Sequence, residues 1–508
     1  MNSIKKAIEE HNLNRVVVAS CTPRTHEPLF RQTIQEAGLN KYLFNFVNIR
    51  DQCTWVHNKY PNEAHNKILD LIKMGVSKAE KLEPLKDISI EVESKALVIG
   101  GGVSGLSSAL SLSQQGLETY LVEKEETIGG MLNSLYKIYP ENIKASDLLE
   151  RLKVKLEDTN NLTILTSSQV SEINGYIGNY NVVIENNDQI YEIQVGAIII
   201  ATGALLFQPF DIYGYDGKIR VNQLELENIL KSGDFNKENI VMIQCVGARC
   251  EERNYCSNIC CMTALKNSII IKEKNPEANI TILFRDLNTP GIQSEQYYKE
   301  ARKDGILFIK YSPEKEPIVK KDKIRVYNEY LGREMSIPYD LLVLSTPLVS
   351  NQDNKMLAQL LKVPLEENEF FLEAHVKLRP IDFATDGVFL CGSAKWPADI
   401  AQAITQGRAA ASRASTILSH ETLEIQGSTA YIPEWNKDLC KGCEVCIEIC
   451  PYGAIRKNNE QEIEIIQALC KGCGLCGASC TKKAITIKHF TNEQILSEIF
   501  ALGGRDIV

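Results

Sequence analysis

The chain has 508 residues, 44% of them hydrophobic and 24% charged, with a formal net charge of −9. That length predicts several domains, and an acidic balance with both signs spread along the chain excludes the basic footprint of a nucleic-acid binder. No stretch approaches about 18 apolar residues without a charge, and the opening MNSIKKAIEEHN lacks the apolar run of a secretory leader, so no membrane span and a cytoplasmic location are expected.

Residues 1–92 are expected to form a small amino-terminal α/β domain, with VVVAS as a strand and THEPLFRQTIQEAG leading into a helix. His26 and His57 closely follow Cys21 and Cys53, and are read as turn or surface residues. From residue 93, KALVIGGGVSGLSSALSLSQQGLETYLVEKE reads as strand, glycine turn, helix and second strand. The G-x-G-x-x-G fingerprint falls on Gly100, Gly102 and Gly105: a tight turn, room for a pyrophosphate, and close packing of helix on strand. Glu123 ends the second strand, 23 residues after Gly100, where a carboxylate can hold ribose hydroxyls.

FAD is the expected dinucleotide. Gly129, Gly130 and Met131 follow the second strand in a loop suited to a long cofactor. Two later apolar strands end in glycine, at AIIIATG (Thr202, Gly203) and GVFLCGSA (Gly387, Gly392), and both resemble returns of the chain to the cofactor. DIAQAITQGRAAASRA then reads as a long helix whose start can cap the flavin or its ribityl chain. The FAD domain is thus expected in two parts, 93–235 and 346–420.

Between them, residues 236–345 read as a degenerate second nucleotide-type domain. ENIVMIQCVG, a helix around 262–273 and ANITILFRD repeat the strand–helix–strand plan without the glycine fingerprint, which argues against NAD(P)H there. The turn instead holds five of the chain's sixteen cysteines: Cys245, Cys250, Cys256, Cys260 and Cys261. Such clustering favours metal ligation in a reducing compartment. Adjacent Cys260 and Cys261 cannot form an unstrained disulfide. From spacing alone a cubane, a zinc knot, a redox dithiol or buried thiols all stay open. Cys391 is a lone cysteine, and no C-x-x-C follows the fingerprint, so the chain is not expected to reduce a disulfide alone.

QGSTAYIPEWNKD links this core to residues 421–508, expected to be a two-cluster ferredoxin domain. CKGCEVCIEICPYGAI and CKGCGLCGASCTKKAI are offset by 30 residues, and each has the spacing C-x2-C-x2-C-x3-C. In this pattern the fourth cysteine crosses to the other cluster. Cys440, Cys443, Cys446 and Cys480 should hold one [4Fe–4S] cluster, and Cys470, Cys473, Cys476 and Cys450 the other. A pair of zinc sites would be expected to use two C-x2-C pairs with a longer spacer.

Together, RVVVASCTPRTHEPLFRQTIQEAGLN, NIRDQCTWVH, VIGGGVSGLSSAL, NQLELENIL, QCVGARCEERNYCSNICCMTALKN and the terminal motifs resemble the A-type iron–sulfur subunits of heterodisulfide reductase over nearly the whole chain. The resemblance implies a thioredoxin-reductase-like FAD-binding α/β core, and a third [4Fe–4S] cluster on Cys245, Cys256, Cys260 and Cys261, with Cys250 a bystander. It implies an electron-transfer subunit working with B- and C-like subunits, a hydrogenase or formate dehydrogenase type donor, and ferredoxin, with electron bifurcation at the flavin. A homodimer within a larger complex is compatible with it. Against the family pattern the amino-terminal domain is shortened, an extra ferredoxin insertion is missing, and Ala398 stands where a flavin-proximal lysine is usual. Lys395, three residues earlier, is the candidate for that catalytic charge, with a surface role as the alternative. The competing readings are a stand-alone NAD(P)H-dependent flavin oxidoreductase and a non-catalytic assembly subunit.

Overall fold

The computed structural model describes residues 1–186, 189–233, 235–425 and 431–502. The chain divides into two units, Val92–Glu421 and the combination of Met1–Glu91 with Thr422–Val508.

The unit Val92–Glu421 contains the same plan twice. Its first copy is a five-stranded parallel sheet in the order Val388–Leu390, Ala197–Ile200, Lys95–Ile99, Glu118–Val122, Leu162–Leu165. Its central strands are near-continuous apolar runs because both faces are covered; Ala197–Ile200 is buried at every position. A three-stranded antiparallel sheet, Ser168–Tyr176, Asn179–Asn186 and Gln189–Val195, accompanies it. The helix Val103–Ser113 packs against Ile400–Leu418, an approach that requires glycine at 407, where a Cβ would lie 2.3 Å from the Ser104 carbonyl oxygen.

The second copy has the parallel order Arg220–Asn222, Leu341–Leu344, Asn239–Ile243, Asn279–Phe284, Leu307–Lys310. A second antiparallel sheet, Ile318–Val319, Lys323–Asn328 and Arg333–Pro338, matches that of the first copy. The two copies are joined by a pair of antiparallel crossing strands, Ala204–Leu206 and Leu348–Ser350. The second copy starts earlier than the expected boundary at 236. Arg220–Asn222 is an edge strand of its sheet, and the helix Gln223–Lys231 follows through a capping box of Asn222 and Glu225. A three-residue strand carries no periodicity, so pattern alone puts the boundary at the next long apolar run.

In the other unit, Val16–Ser20 and Phe44–Asn48 form a two-stranded parallel sheet with the helices Asn2–His11, Pro23–Glu36 and Pro61–Glu80. Ile88–Glu91 pairs antiparallel with Thr422–Ile425. The cysteine repeats carry two antiparallel strand pairs, Pro433–Trp435 with Ile485–Ile487, which brings the two ends of the segment together, and the hairpin Ile455–Lys457 with Ile463–Ile465. The terminal helix Asn492–Ala501 packs on Pro61–Glu80, tied by Lys78–Glu498 and Lys81–Glu493 ion pairs at 3.4 and 2.8 Å. The repeats therefore form one unit with residues 1–91, where two separate domains were expected. Of the linker QGSTAYIPEWNKD, residues 426–430 lie outside the described residues. Among the described residues no helix is long and apolar enough to cross a membrane.

Candidate functional site

A cavity of about 820 Å³ opens at the carboxyl ends of the first sheet, where strands of a parallel sheet leave room for a ligand. Gly100, Gly102, Glu123, Gly130, Met131, Thr202 and Gly203 all line it. Gly100 has φ +109°, and a Cβ there would lie 2.4 Å from the Ala201 carbonyl oxygen. A Cβ on Gly102 would instead project into open space. A dinucleotide's phosphates fit this cradle, which faces the amino end of Val103–Ser113. Gly105 does not line the cavity; a Cβ there would come within 1.8 Å of the Gly100 carbonyl oxygen, so its role is to let helix meet strand. The Glu123 carboxylate is held by the Gly101 and Glu125 N–H groups, at 2.6 and 2.9 Å, with its side chain at the cavity wall.

Gly392 lies behind the wall, against Ser104, while its neighbour Ser393 lines the cavity. The start of the helix Ile400–Leu418 contributes Asp399, Ile400 and Ala403. Asp399 caps its own helix by accepting from the Gln402 N–H at 2.7 Å. Ala398 lines the cavity but Lys395 does not. The Lys395 Nζ donates to the Pro380 carbonyl at 2.9 Å and pairs with Glu373 at 3.4 Å, so the structure does not bring this lysine to the cavity. Cys391 also points away, with its sulfur 3.7 Å from the Ser108 hydroxyl and burial pushing its thiol up to about 12.

A different lysine is at the wall. Cys260, Thr263 and Lys266 lie on one face of the helix Cys260–Lys274, and all three line the cavity. The Lys266 ammonium, 2% exposed, is paired with Glu227, 1% exposed, and donates to the Lys137 carbonyl at 2.9 Å. Burial pulls its pKa down while Glu227 opposes that pull. Glu227 also accepts from the Tyr136 N–H at 2.7 Å. Sequence reading missed this pair. The clue available was the run Cys260, Thr263, Lys266, each three residues after the last, so that each is a helix-surface neighbour of the one before.

Cys245 and Cys256 act electrostatically on the thiols of both Cys260 and Cys261. Cys245 takes the left-handed conformation at φ +63°, one residue beyond the end of the strand Asn239–Ile243. Burial raises the thiols of Cys245, Cys260 and Cys261, the last to about 12. Binding of a metal group by these residues must therefore release protons.

In the other unit the eight repeat cysteines divide between two small cavities. Cys440, Cys443, Cys446 and Cys480 line one, and Cys450, Cys470, Cys473 and Cys476 the other. Matching backbone amides serve both. Gly442 N–H donates to the Cys440 sulfur at 3.5 Å and Gly472 serves Cys470; Ala454 and Ala484 serve Cys450 and Cys480 at 3.3 and 3.2 Å. Burial raises Cys470 and Cys446, and takes Cys476 up to about 11. Cys440 is instead held low, first by the nearby Trp435 indole N–H and then by the Gly442 amide. Among the described residues no group of three or more His, Cys, Asp or Glu side chains converges to hold a single metal ion. Four thiols spread around a small void are the donor set of a cubane. Cys21 and Cys53 have separate partners: Arg50 donates to the Cys21 sulfur at 3.2 Å, whereas the buried Cys53 thiol reaches the Ala64 carbonyl at 3.5 Å.

The family of pyridine nucleotide-disulphide oxidoreductases matches residues 94–247, and a 4Fe-4S binding domain matches residues 432–455. The chain is 35% identical to the second of the A-type iron-sulfur subunits of CoB–CoM heterodisulfide reductase in Methanopyrus kandleri, covering 89% of this chain and 83% of that one. It is 36% identical to the A-type subunit of the H(2):CoB-CoM heterodisulfide,ferredoxin reductase of Methanothermobacter thermautotrophicus, over 98% and 90% of the two chains. For the corresponding subunit of the H(2)/formate:CoB-CoM heterodisulfide,ferredoxin reductase of Methanococcus maripaludis the identity is 32%, over 89% and 83%.

Proposed function

Because the chain belongs to the family of heterodisulfide reductase A-type subunits, we propose that it is the electron-distributing subunit of a larger reductase complex, with FAD in the large cavity and three [4Fe–4S] clusters. It is an oxidoreductase with an FAD-type redox domain and an iron–sulfur domain. The number and ligands of the clusters are the finer part of the reading: one on Cys245, Cys256, Cys260 and Cys261, and two on the crossed repeat sets. When bound, FAD takes electrons in pairs and returns them singly, and each cluster carries one at a time.

The observation that carries the reading is the position of Cys260. Its side chain lines the cavity and also belongs to the four-thiol group, so the two cofactor sites share a wall. Lys266 stands one helix face along the same wall and supplies the buried cation that Lys395 does not. Glu227 lines the same wall and balances that charge, so the pair presents a local dipole rather than a net charge to the cavity. Flavin-based bifurcation fits this arrangement. The donor would be of hydrogenase or formate dehydrogenase type, the acceptors ferredoxin and a disulfide-reducing partner built from B- and C-like subunits. The names of the relatives, which include H2, formate and ferredoxin, support that choice. In the second copy Gln244 and Cys245 follow the strand where a pyridine nucleotide would need glycine, so NAD(P)H entry is not part of the reading.

Iron, sulfide and flavin analysis of the anaerobically purified chain tests it. About twelve irons, four per cluster, with one FAD are expected. Eight irons with intact flavin would remove the central cluster, and rapid reduction of the isolated chain by NADH would replace the proposal with a stand-alone oxidoreductase.

A further inference from the structure

The two cysteine repeats superimpose in sequence at an offset of 30, and their backbone donors match pair by pair, Gly442 with Gly472 and Ala454 with Ala484. One donor has no counterpart. Trp435, on the strand Pro433–Trp435, lines the cavity of Cys440, Cys443, Cys446 and Cys480. Its indole Nε1 is buried near the Cys440 sulfur, yet it completes no well-formed hydrogen bond among the described residues. At the corresponding position of the second repeat stands Ile465, which has no polar hydrogen. The strands are equivalent too: Trp435 pairs with Ile485, and Ile465 with Ile455. An orphaned indole N–H is costly unless the occupied site satisfies it, and sulfur is the acceptor lining that cavity beside it.

We propose that Trp435 donates a hydrogen bond to the sulfur of the cluster held by Cys440, Cys443, Cys446 and Cys480, making that cluster the more easily reduced of the carboxy-terminal pair. The inference rests on the reading that the two repeats hold [4Fe–4S] clusters. A donor to cluster sulfur stabilises the reduced, more negative state, so it raises the potential. The charged linings do not separate the two sites: Lys441, Lys482 and Glu444 leave one net positive charge at the first cavity, as Lys471 does at the second, so the indole N–H is the difference between them. Electrons entering this module therefore settle on the Cys440 site. Trp435 is a positioning residue that sets the direction of transfer between two otherwise similar sites.

The test is an EPR-monitored redox titration of the full chain and its W435F variant, with iron and sulfide counted in both. The higher-potential carboxy-terminal cluster should fall about tenfold in its one-electron reduction constant, equal to 59 mV, while the other stays in place. Fully loaded W435F with both potentials unmoved overturns the donor role. A wild-type chain without two carboxy-terminal clusters overturns the underlying reading and the donor role together. Should W435F fail to fold, a W55F/W396F chain labelled with 15N on tryptophan leaves Trp435 as the only labelled residue. Pulsed EPR of its half-reduced module should then show a 15N coupling, and absence of that coupling sinks the proposal.

Discussion

Lys266 and Glu227 hold opposite charges out of water at the wall of the large cavity, at 2% and 1% exposure. Breaking such a pair from one side leaves an uncompensated buried charge, which costs about 3–5 kcal/mol. Lys266→Met should therefore lower stability by that order, and the double variant with Glu227→Gln should recover much of the loss. Thermal unfolding of the flavin-loaded chain checks both; equal losses in the single and double variants would contradict the argument. Gly105 shows the opposite kind of residue, whose role was legible from spacing. A Cβ 1.8 Å from the Gly100 carbonyl oxygen cannot be accommodated by a side-chain rotation. Gly105→Ala should abolish flavin retention, read as lost absorbance near the flavin band after purification. Lys395 was the harder case, because a side chain near a site in sequence still has a choice of direction. Glu373 and the Pro380 carbonyl decide it, and neither is near Lys395 in the chain.

The terminal helix Asn492–Ala501 docks on the helix Pro61–Glu80, and the segment before it buries a histidine beside Tyr42 and Glu83. His489 is 5% exposed, edge-on to Tyr42 at 6.4 Å, with the Glu83 backbone bonded to its ring and Arg31, Lys78 and Lys488 as nearby cations. Asp87, bound by Tyr42 and Lys41, and Glu498, paired with Lys78, are the acids facing this join. Burial takes the imidazole down to about 4 from 6.5, so the folded state holds it neutral while the unfolded chain protonates. Its contribution is complete above about pH 6.5 and is lost as pH falls toward 4, by about 3 kcal/mol over that window. His489→Asn should flatten this part of the stability–pH curve of the wild type. Identical slopes between pH 6.5 and 4 in thermal melts would show that other groups govern it. At this scale the strands and long helices were readable because their apolar periodicity is local. The edge strand Arg220–Asn222 was not, since three residues carry no period and only its pairing with Leu341–Leu344 makes it a strand.

At the scale of the molecule, one α/β plan is built twice in Val92–Glu421, and one cysteine motif with its antiparallel strand pair twice in the repeats. Crossed ligation is what the proposed function expects of the second duplication. Cys450→Ser should cost the site of Cys470, Cys473 and Cys476, and Cys480→Ser the site of Cys440, Cys443 and Cys446. Each should lose about four irons and a different EPR signal. Loss of the cluster within the mutated repeat instead would refute the crossing. The sequence by itself determined the glycine turn, the crossed repeat spacing and the missing second fingerprint, because each is a constraint among residues close along the chain. Tertiary structure alone decided that Lys266 rather than Lys395 lines the large cavity, that Cys260 shares its wall, and that the Trp435 indole is buried beside the Cys440 site. Those outcomes depend on which distant elements meet, and on where a buried charge or N–H finds its partner once water is excluded.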